Sequence, residues 1–350
     1  MNNKTVHSSY KNDFKSIFSP YILRFLEMKE MSGSKLDNIL ATLREFDRFV
    51  LASGLESVCM TQSDITLWRN NIYGKKATTI YMKFCIIGQF CRYLVKLGIP
   101  CYVPVYPRKP KEHYAPYIFS KEELDDIFNA ADELELTRRD FRVKIFSIPV
   151  LLRLLYSTGM RIGEAANLKN SDVDMVSRSI IIRDSKNRRE RLLPINESLF
   201  KVFEQYLVKR DKLPLSDINS PDSPFLVSLD GKPFKRNSAT HWFLLILEKC
   251  KINYTPGIGP RIHDLRHTFA VHALNKLAEE GLDMYCSLPI LSVAIGHKCV
   301  SDTEYYLRIT SQVYPDLSEV TSNISEYIFP TISIMPVSYT HLTLPRSHKC

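Results

Sequence analysis

The sequence predicts a mainly α-helical protein with two domains and one small antiparallel β-sheet. Three observations lead to this fold class. A chain of 350 residues is longer than one typical hydrophobic core supports. Apolar residues recur at the spacing of an α-helix along most of the chain. Only one stretch, with aliphatic and β-branched residues on either side of a polar turn, has the pattern of a β-hairpin.

Residues 15–100 are predicted to form a small helical bundle, the first domain. Apolar side chains repeat at helical spacing over residues 34–50 and again over residues 78–98. Shorter helical patterns cover residues 21–28 and 63–71. Helices of this length bury their apolar stripes against one another, so a bundle is the expected arrangement.

A basic, proline-rich linker at residues 101–117 is expected to join this bundle to a second domain at residues 118–330. Ser120 and Glu123 have the spacing of a capping box, which starts a helix. The β-hairpin and the remaining helices follow, with helices predicted at residues 145–168 (as a pair), 198–211, 237–251, 265–281 and 288–295. Residues 336–350 have neither a helical nor a strand pattern, and we expect them to be a non-native tail.

The stretch RIHDLRHTFAVHAL, residues 261–274, combines arginines and histidines with an apolar helical stripe. The predicted helix is expected to bury one row of side chains against the core: Leu265, Phe269, Ala273 and Leu277. Its N-terminal end could then direct cations and the helix dipole at an anion.

The charge balance indicates a polyanionic partner, with nucleic acid as the first candidate. Lys and Arg number 47 against 38 Asp and Glu, which gives a formal charge of +9. A basic surface that is merely solvated remains the alternative, because net charge does not locate the charges. The candidate phosphate contacts are Lys75, Lys76 and Lys83 in the bundle and Arg108, Lys109 and Lys111 in the linker.

The eight cysteines form no C-x-x-C pair, and several lie in apolar runs, which is typical of a reduced, cytoplasmic protein. The sequence shows no hydrophobic signal core and no apolar run long enough to cross a membrane. We therefore expect a soluble protein without membrane association.

Four separated stretches carry residues suited to phosphate chemistry. They are STGMRIGE around Arg161, the hairpin turn with Lys186, HDLRH with His263 and Arg266, and IGHKCVSDTEYYLRI with His297 and Tyr306. In their order and spacing they resemble the tyrosine recombinase (phage integrase) family. The resemblance covers residues 115–325 as a catalytic domain, and the preceding bundle resembles the family's core-binding domain. It implies a two-domain DNA clamp.

The resemblance implies that Tyr306 is the nucleophile, because it stands at the family's spacing after His297; Tyr305 is the runner-up. Arg191 and Pro194 follow Lys186 at the family's usual offsets, although the turn around Lys186 lacks the family's glycines. Glu164 occupies the family's acidic position, where it would orient its neighbours.

The same residues make chemical sense on their own. Arg161 and Arg266 are suited to hold the oxygens of a phosphorane. A phenol needs help to lose its proton and the leaving 5′ oxygen needs a proton donor. We expect His263 to act as the base and Lys186 as the acid, with His297 holding the phosphate. No metal or cofactor is required. His267 and His272 are expected to be structural.

The resemblance implies an enzyme that cleaves and rejoins strands of double-stranded DNA at specific recombination sites through a 3′-phosphotyrosyl link, as a tetramer on paired sites. Integration, excision or transposition of a mobile element and resolution of DNA all fit. Two alternatives remain: a metal-dependent nuclease built on His263, His267 and Asp264, and a DNA-binding protein without activity. The DNA sequence and any accessory protein are unidentified.

Overall fold

In a computed structural model of the chain, the described residues are 10, 12–110, 115–134, 144–183, 190–228, 234, 236–255 and 258–315. The chain divides into two compact units, Met1–His113 and Tyr114–Cys350. Lys111, Lys186 and the tail at 336–350, singled out from the sequence, lie outside the described residues. Within the described part of the chain, no helix has the length and apolar character needed to cross a membrane.

The first unit is built from helices joined by short turns. They are α1 (Ser19–Met31), α2 (Asp37–Ser53), α3 (Gln62–Asn71) and α4 (Ala77–Lys96). Gly54, with a φ of 63°, ends α2 in the left-handed conformation. Thr61 and Asp64 form a capping box that starts α3. Aromatic rings meet edge to face at the centre of the core: Phe18, Phe46, Trp68 and Phe90.

The core of this unit extends beyond the predicted limits of the bundle on both sides. Tyr10 and Phe14 are buried in it, although they precede residue 15. At the other end, the backbone N–H of Tyr102 donates to the carbonyl of Met60 at 2.8 Å. The first residues of the expected linker are therefore part of the unit, because apolar packing and a backbone hydrogen bond hold them there.

The second unit contains the remaining helices. They are α5 (Lys121–Asp132), α6 (Ile148–Thr158), α7 (Ile162–Ala166), α8 (Glu197–Arg210), α9 (Arg236–Lys249), α10 (Asp264–Glu279), α11 (Met284–Ile295) and α12 (Ser301–Val313). The predicted capping box at Ser120 and Glu123 is confirmed at the start of α5. α11 begins earlier than predicted, since Asp283 accepts a hydrogen bond from the N–H of Cys286 and caps it.

The small sheet of this unit has the antiparallel order β1-β2-β3, with strands Val173–Asp174, Ser179–Ile182 and Arg191–Pro194. β2 and β3 are the predicted hairpin, with Ile180 opposite Leu193. Both of these side chains are buried in the core. β1 was not predicted, because a strand of two residues is too short to show an alternating pattern.

Helix α10 is central to the second unit, because it packs against α6, α11 and α12. The row of buried side chains predicted for it is wrong: Leu265 is buried, but Phe269, Ala273 and Leu277 are only partly buried. Contacts on several sides give α10 a wide buried surface that includes Thr268, Val271 and Leu274. Thr268 is satisfied there, because its hydroxyl donates to the carbonyl of Asp264 and accepts the N–H of Phe119.

Candidate active site

Arg161 is placed by the turn between α6 and α7. Gly159, at a φ of 60°, ends α6 in the left-handed conformation, and Arg161 directly precedes α7. Its guanidinium donates from Nη1 to Glu164 Oε1 at 3.0 Å and from Nη2 to the carbonyl of Gly296 at 3.1 Å. The Arg161 side chain is thus fixed between the start of α7 and the end of α11.

Glu164 and Arg191 form a buried ion pair beneath Arg161. Arg191 Nη2 lies 2.7 Å from Glu164 Oε2, and the two side chains are only 6% and 5% exposed. Arg191 Nε also donates to the carbonyl of Ala294 at 3.1 Å. Burial alone would raise the pKa of Glu164, but hydrogen bonds from Arg191 and Arg161 hold it below its usual value. Glu164 is therefore a carboxylate that ties β3 to Arg161.

Gly296, the residue before His297, leaves room for this ion pair. Its φ is 69°, and a Cβ added there would lie 2.8 Å from Arg191 Nη1. Gly281 is a matched position, with a φ of 84° and no atom within 4 Å of an added Cβ. An alanine at either position costs about 1–3 kcal/mol in backbone strain, but only at Gly296 must it also displace a buried guanidinium.

We therefore expect Gly296→Ala to lower the free energy of unfolding by more than Gly281→Ala does, since only the first displaces Arg191. Urea unfolding of the two variants measures the difference. Equal losses in both variants would show that Arg191 moves aside without cost.

The start of α10 presents Arg266 to the same place. Arg266 is 3% exposed, and its Nη1 donates to the carbonyl of Gly159 at 2.6 Å. Asp264 is buried beside it and accepts the backbone N–H of Arg261 at 2.7 Å, which satisfies an N–H at the helix start. The contact between Arg266 and Gly159 brings α10 onto the turn that carries Arg161.

Tyr306 lies in α12 and is 2% exposed. Its hydroxyl is 2.8 Å from His267 Nδ1, and its ring stacks on that of His297 with centroids 6.2 Å apart. His297 is held in turn by Thr303, whose Oγ1 is 2.9 Å from His297 Nδ1. The candidate nucleophile Tyr306 thus forms one cluster with His267 and His297.

The histidines of this cluster are neutral at pH 7. Burial, followed by the charge of Arg266, lowers the pKa of His263 to about 4 and that of His297 to about 4. Burial, followed by neighbouring His263, lowers the pKa of His267 to about 3. Arg161 contributes to the shifts at His263 and His297. The pocket is strongly positive, and an anion would relieve this repulsion.

Arg266 keeps its charge in this pocket, although burial lowers its pKa to about 10. Burial raises the pKa of Tyr306, while the charge of Arg266 and a hydrogen bond with it act in the opposite direction. Tyr306 is therefore a protonated phenol at neutral pH, within the influence of the Arg266 charge. Such a phenol must lose its proton before it can attack.

The structure brings together most residues that the sequence singled out for catalysis: Arg161, Glu164, His263, Arg266, His297 and Tyr306. Lys186 lies outside the described residues. His263, expected to be the base, contacts His267 at a ring distance of 5.0 Å. The hydrogen-bond partner of the Tyr306 hydroxyl is His267, for which only a structural role was expected. His272 bonds Tyr156 at 3.0 Å.

Sequence reasoning assigned no catalytic-site role to two residues that the structure places here, His267 and Arg191. His267 lies in the first turn of α10, four residues after the N-cap His263, a spacing that indicates a shared face. Its meeting with Tyr306 depends on the packing of α10 against α12, which no local pattern reports. Arg191 was noted only for its spacing after Lys186. Its buried partner, Glu164, lies on α7, whereas Arg191 lies on β3.

The basic residues of the first unit have different surroundings. Lys75 and Lys83 both pair with Glu45, and Lys83 is only 8% exposed. Burial of Lys83 disagrees with the phosphate contact expected for it, because its ammonium is already bound by a carboxylate inside the bundle. Lys76, Arg108 and Lys109 are exposed.

The metal-site alternative finds no support in the geometry. Asp264 is 0% exposed and bonded to the backbone of Arg261, while His267 Nδ1 faces Tyr306. In the part of the chain that the structure describes, no group of three or more His, Cys, Asp or Glu could hold a metal ion.

Comparison with known proteins decides the family. A model described as the phage integrase family matches residues 118–312, which is more than half of the 350 residues. The chain belongs to the phage integrase family. This confirms the resemblance predicted from the sequence motifs.

Relatives of this integrase-family chain include recombinases of known name. A putative integrase/recombinase, y4rB, of Sinorhizobium fredii is 28% identical over 296 residues, covering 83% of this chain and 93% of the relative. The tyrosine recombinase XerC of Staphylococcus saprophyticus is 27% identical over 300 residues, covering 83% of this chain and 92% of XerC.

Solved structures support the fold class. The XerH site-specific recombinase bound to its difH substrate matches with a TM-score of 0.58 and 16% identity, covering 87% of this chain and 86% of XerH. A lambda integrase dimer bound to a COC′ core site gives a TM-score of 0.58 and 17% identity, covering 85% and 78%. The expected mainly helical fold with a small antiparallel sheet is confirmed.

Proposed function

We propose that this chain is a tyrosine-type site-specific DNA recombinase. It cleaves a DNA strand with Tyr306, forms a 3′-phosphotyrosyl link and rejoins that end to a new 5′ hydroxyl. The observation that carries the proposal is the placement of a buried tyrosine hydroxyl beside Arg266, in a pocket that Arg161 and neutral histidines complete. Family membership and the recombinases among the relatives support it.

Arg161 and Arg266 hold the two non-bridging oxygens of the scissile phosphate. A guanidinium matches these oxygens geometrically and keeps its charge, and both side chains are fixed before DNA arrives by bonds to backbone carbonyls. Groups fixed in this way stabilise the phosphorane without rearranging. Because protein cations do this work, the proposed reaction needs no cofactor.

The other predicted residues complete the reaction. We assign hydrogen bonding to the phosphate to His263 and His297, and alignment of the attacking oxygen to the stack of His297 on Tyr306. We assign protonation of the leaving 5′ oxygen to Lys186, as the sequence predicted. The phosphotyrosyl link conserves the energy of the broken bond, so strand joining does not consume ATP.

Cleavage is proposed to occur in cis. The Tyr306 hydroxyl bonds His267 of its own chain and is influenced by the charge of Arg266 of that chain, so one protomer supplies both the nucleophile and the phosphate clamp. Strand exchange then requires protomers on each of two paired sites in double-stranded DNA, and we propose a tetramer. Solved relatives include a lambda integrase dimer on DNA.

DNA outside the pocket would be held by exposed cations. Lys76, Arg108 and Lys109 remain proposed phosphate contacts because their side chains are exposed. Lys75 and Lys83 would have to leave Glu45 first. The same cleavage chemistry serves integration, excision, transposition and resolution.

The test begins with a DNA duplex selected from a randomised pool by binding to the full chain. Versions of this selected duplex, nicked at successive positions, let a short 5′-hydroxyl strand diffuse away after cleavage and trap the intermediate. We expect a covalent complex that survives detergent, carries the DNA by its 3′ end, forms in EDTA without ATP, and transfers the strand to an added 5′-hydroxyl end. Cleavage that leaves no covalent complex and stops in EDTA would contradict the proposal.

A further inference from the structure

The hydroxyl of Tyr306 has a specific partner outside the set of residues that the sequence singled out. His267 Nδ1 lies 2.8 Å from it, with the two rings 5.7 Å apart. His267 is on α10, one residue after Arg266, and Tyr306 is on α12. The packing of these two helices holds the His267 imidazole within hydrogen-bond distance of the proposed nucleophilic oxygen.

We propose that His267 is a further catalytic residue, which accepts the proton of Tyr306 while the phenol oxygen attacks the scissile phosphorus. This inference rests on the proposed recombinase function. In the step, the bond from Tyr306 Oη to phosphorus forms and the bond from phosphorus to the 5′ oxygen breaks. The phenol proton moves to His267 Nδ1, and the departing oxygen takes a proton from Lys186.

The protonation states of the free protein suit this role. His267 is neutral, because burial and nearby His263 and Arg266 disfavour its charged form. Tyr306 is protonated, because burial raises its pKa. In the tautomer of His267 that carries its proton on Nε2, the phenol donates the hydrogen bond and Nδ1 accepts it, which is the arrangement that a proton transfer in this direction requires.

The same positive surroundings keep the transfer from happening before DNA binds. Protonated His267 would stand near the fixed positive charges of Arg266 and Arg261, which oppose its charge. A phosphate bound to Arg161 and Arg266 offsets this positive potential, so an imidazolium at position 267 becomes less unfavourable. Activation of the tyrosine is thus linked to arrival of the scissile phosphate.

His263, the base expected from the sequence, is placed differently. Its ring is perpendicular to that of His267 at a distance of 5.0 Å. The histidine bonded to the Tyr306 hydroxyl is His267. We therefore assign His263 to hydrogen bonding with the scissile phosphate.

The experiment compares variants on the nicked selected duplex. His267→Ala removes the acceptor, whereas His267→Asn retains a hydrogen-bonding side chain that does not take up a proton at neutral pH. His272→Ala is the matched control, because His272 lies on the same helix and bonds a tyrosine hydroxyl, that of Tyr156, at 3.0 Å. DNA binding and thermal unfolding are measured for every variant.

The rate of covalent complex formation in a single turnover is the main measurement. General base catalysis contributes about 100-fold to 10,000-fold, so we expect losses of at least about 100-fold in both His267 variants, with DNA binding retained. His272→Ala should cleave at nearly the wild-type rate. A His267→Asn variant as fast as wild type would overturn the proposal, since position 267 would then need only a hydrogen bond.

A duplex with sulfur in place of the bridging 5′ oxygen separates the two proton transfers. A thiolate leaves without being protonated, so this substrate should not restore cleavage by the His267 variants. Restoration would place His267 at the leaving group and overturn the proposal. If wild-type protein forms the covalent complex and His267→Ala forms it equally fast, this inference alone fails. If wild-type protein forms none, the recombinase function fails and the inference with it.

Discussion

Tyr306→Phe is expected to form no covalent complex with the nicked selected duplex. The substitution removes the phenol oxygen and leaves the ring, which is 2% exposed and stacked on His297. Folding and DNA binding should therefore persist while cleavage is lost, because only the attacking atom is missing. Gel separation of protein and labelled DNA in detergent measures the outcome.

Tyr305→Phe is the matched control, because Tyr305 was the runner-up and its ring neighbours that of Tyr306 at 5.9 Å. It should form the covalent complex at nearly the wild-type rate. The reverse result, with cleavage lost in Tyr305→Phe and kept in Tyr306→Phe, would move the nucleophile by one residue and contradict the contacts described here.

Arg191→Met should have the largest effect on stability. It leaves Glu164, which is 5% exposed, without the partner that lies at 2.7 Å. Removing one member of a buried ion pair typically costs about 3–5 kcal/mol, and we expect the lower end of this range because Arg161 still donates to Glu164 at 3.0 Å. Cleavage should also be slower, since Glu164 holds Arg161 at 3.0 Å and Arg191 ties β3 to the end of α11.

Lys169→Met provides the comparison. Lys169 pairs with Asp222 at a similar distance of 2.7 Å, but the side chains are 49% and 86% exposed. Exposed pairs contribute about 0–1 kcal/mol. Chemical unfolding of both variants should show a much larger loss for Arg191→Met. Similar losses would mean that burial of the Glu164–Arg191 pair carries little energy.

The fold was largely predictable because its signals are local. Helix periodicity, the capping box at Ser120 and Glu123 and the hairpin pattern each depend on residues close together in the chain. β1 was not predicted because it is only two residues long. The prediction of which side chains α10 buries was wrong because three other helices pack on it. A single apolar stripe describes contact on one side only.

The site was predictable in its residue types but not in its contacts. Motif order indicated Arg161, Arg266 and Tyr306, which the structure brings into one pocket. The partner of the Tyr306 hydroxyl could not be read from spacing, because His263 is the N-cap of α10 and His267 lies in its first turn, and only the position of α12 selects between them. Likewise, the burial of Lys83 against Glu45 depends on how α2 and α4 pack.

Nucleophilic attack by Tyr306 is tested most directly by identifying the amino acid that holds the DNA. Covalent complex formed by wild-type protein on the nicked selected duplex would be digested with protease and nuclease, and the nucleotide-bearing peptide sequenced by mass spectrometry. We expect a 3′-linked nucleotide on Tyr306. Attachment to Tyr305, to any other residue, or to none would contradict it.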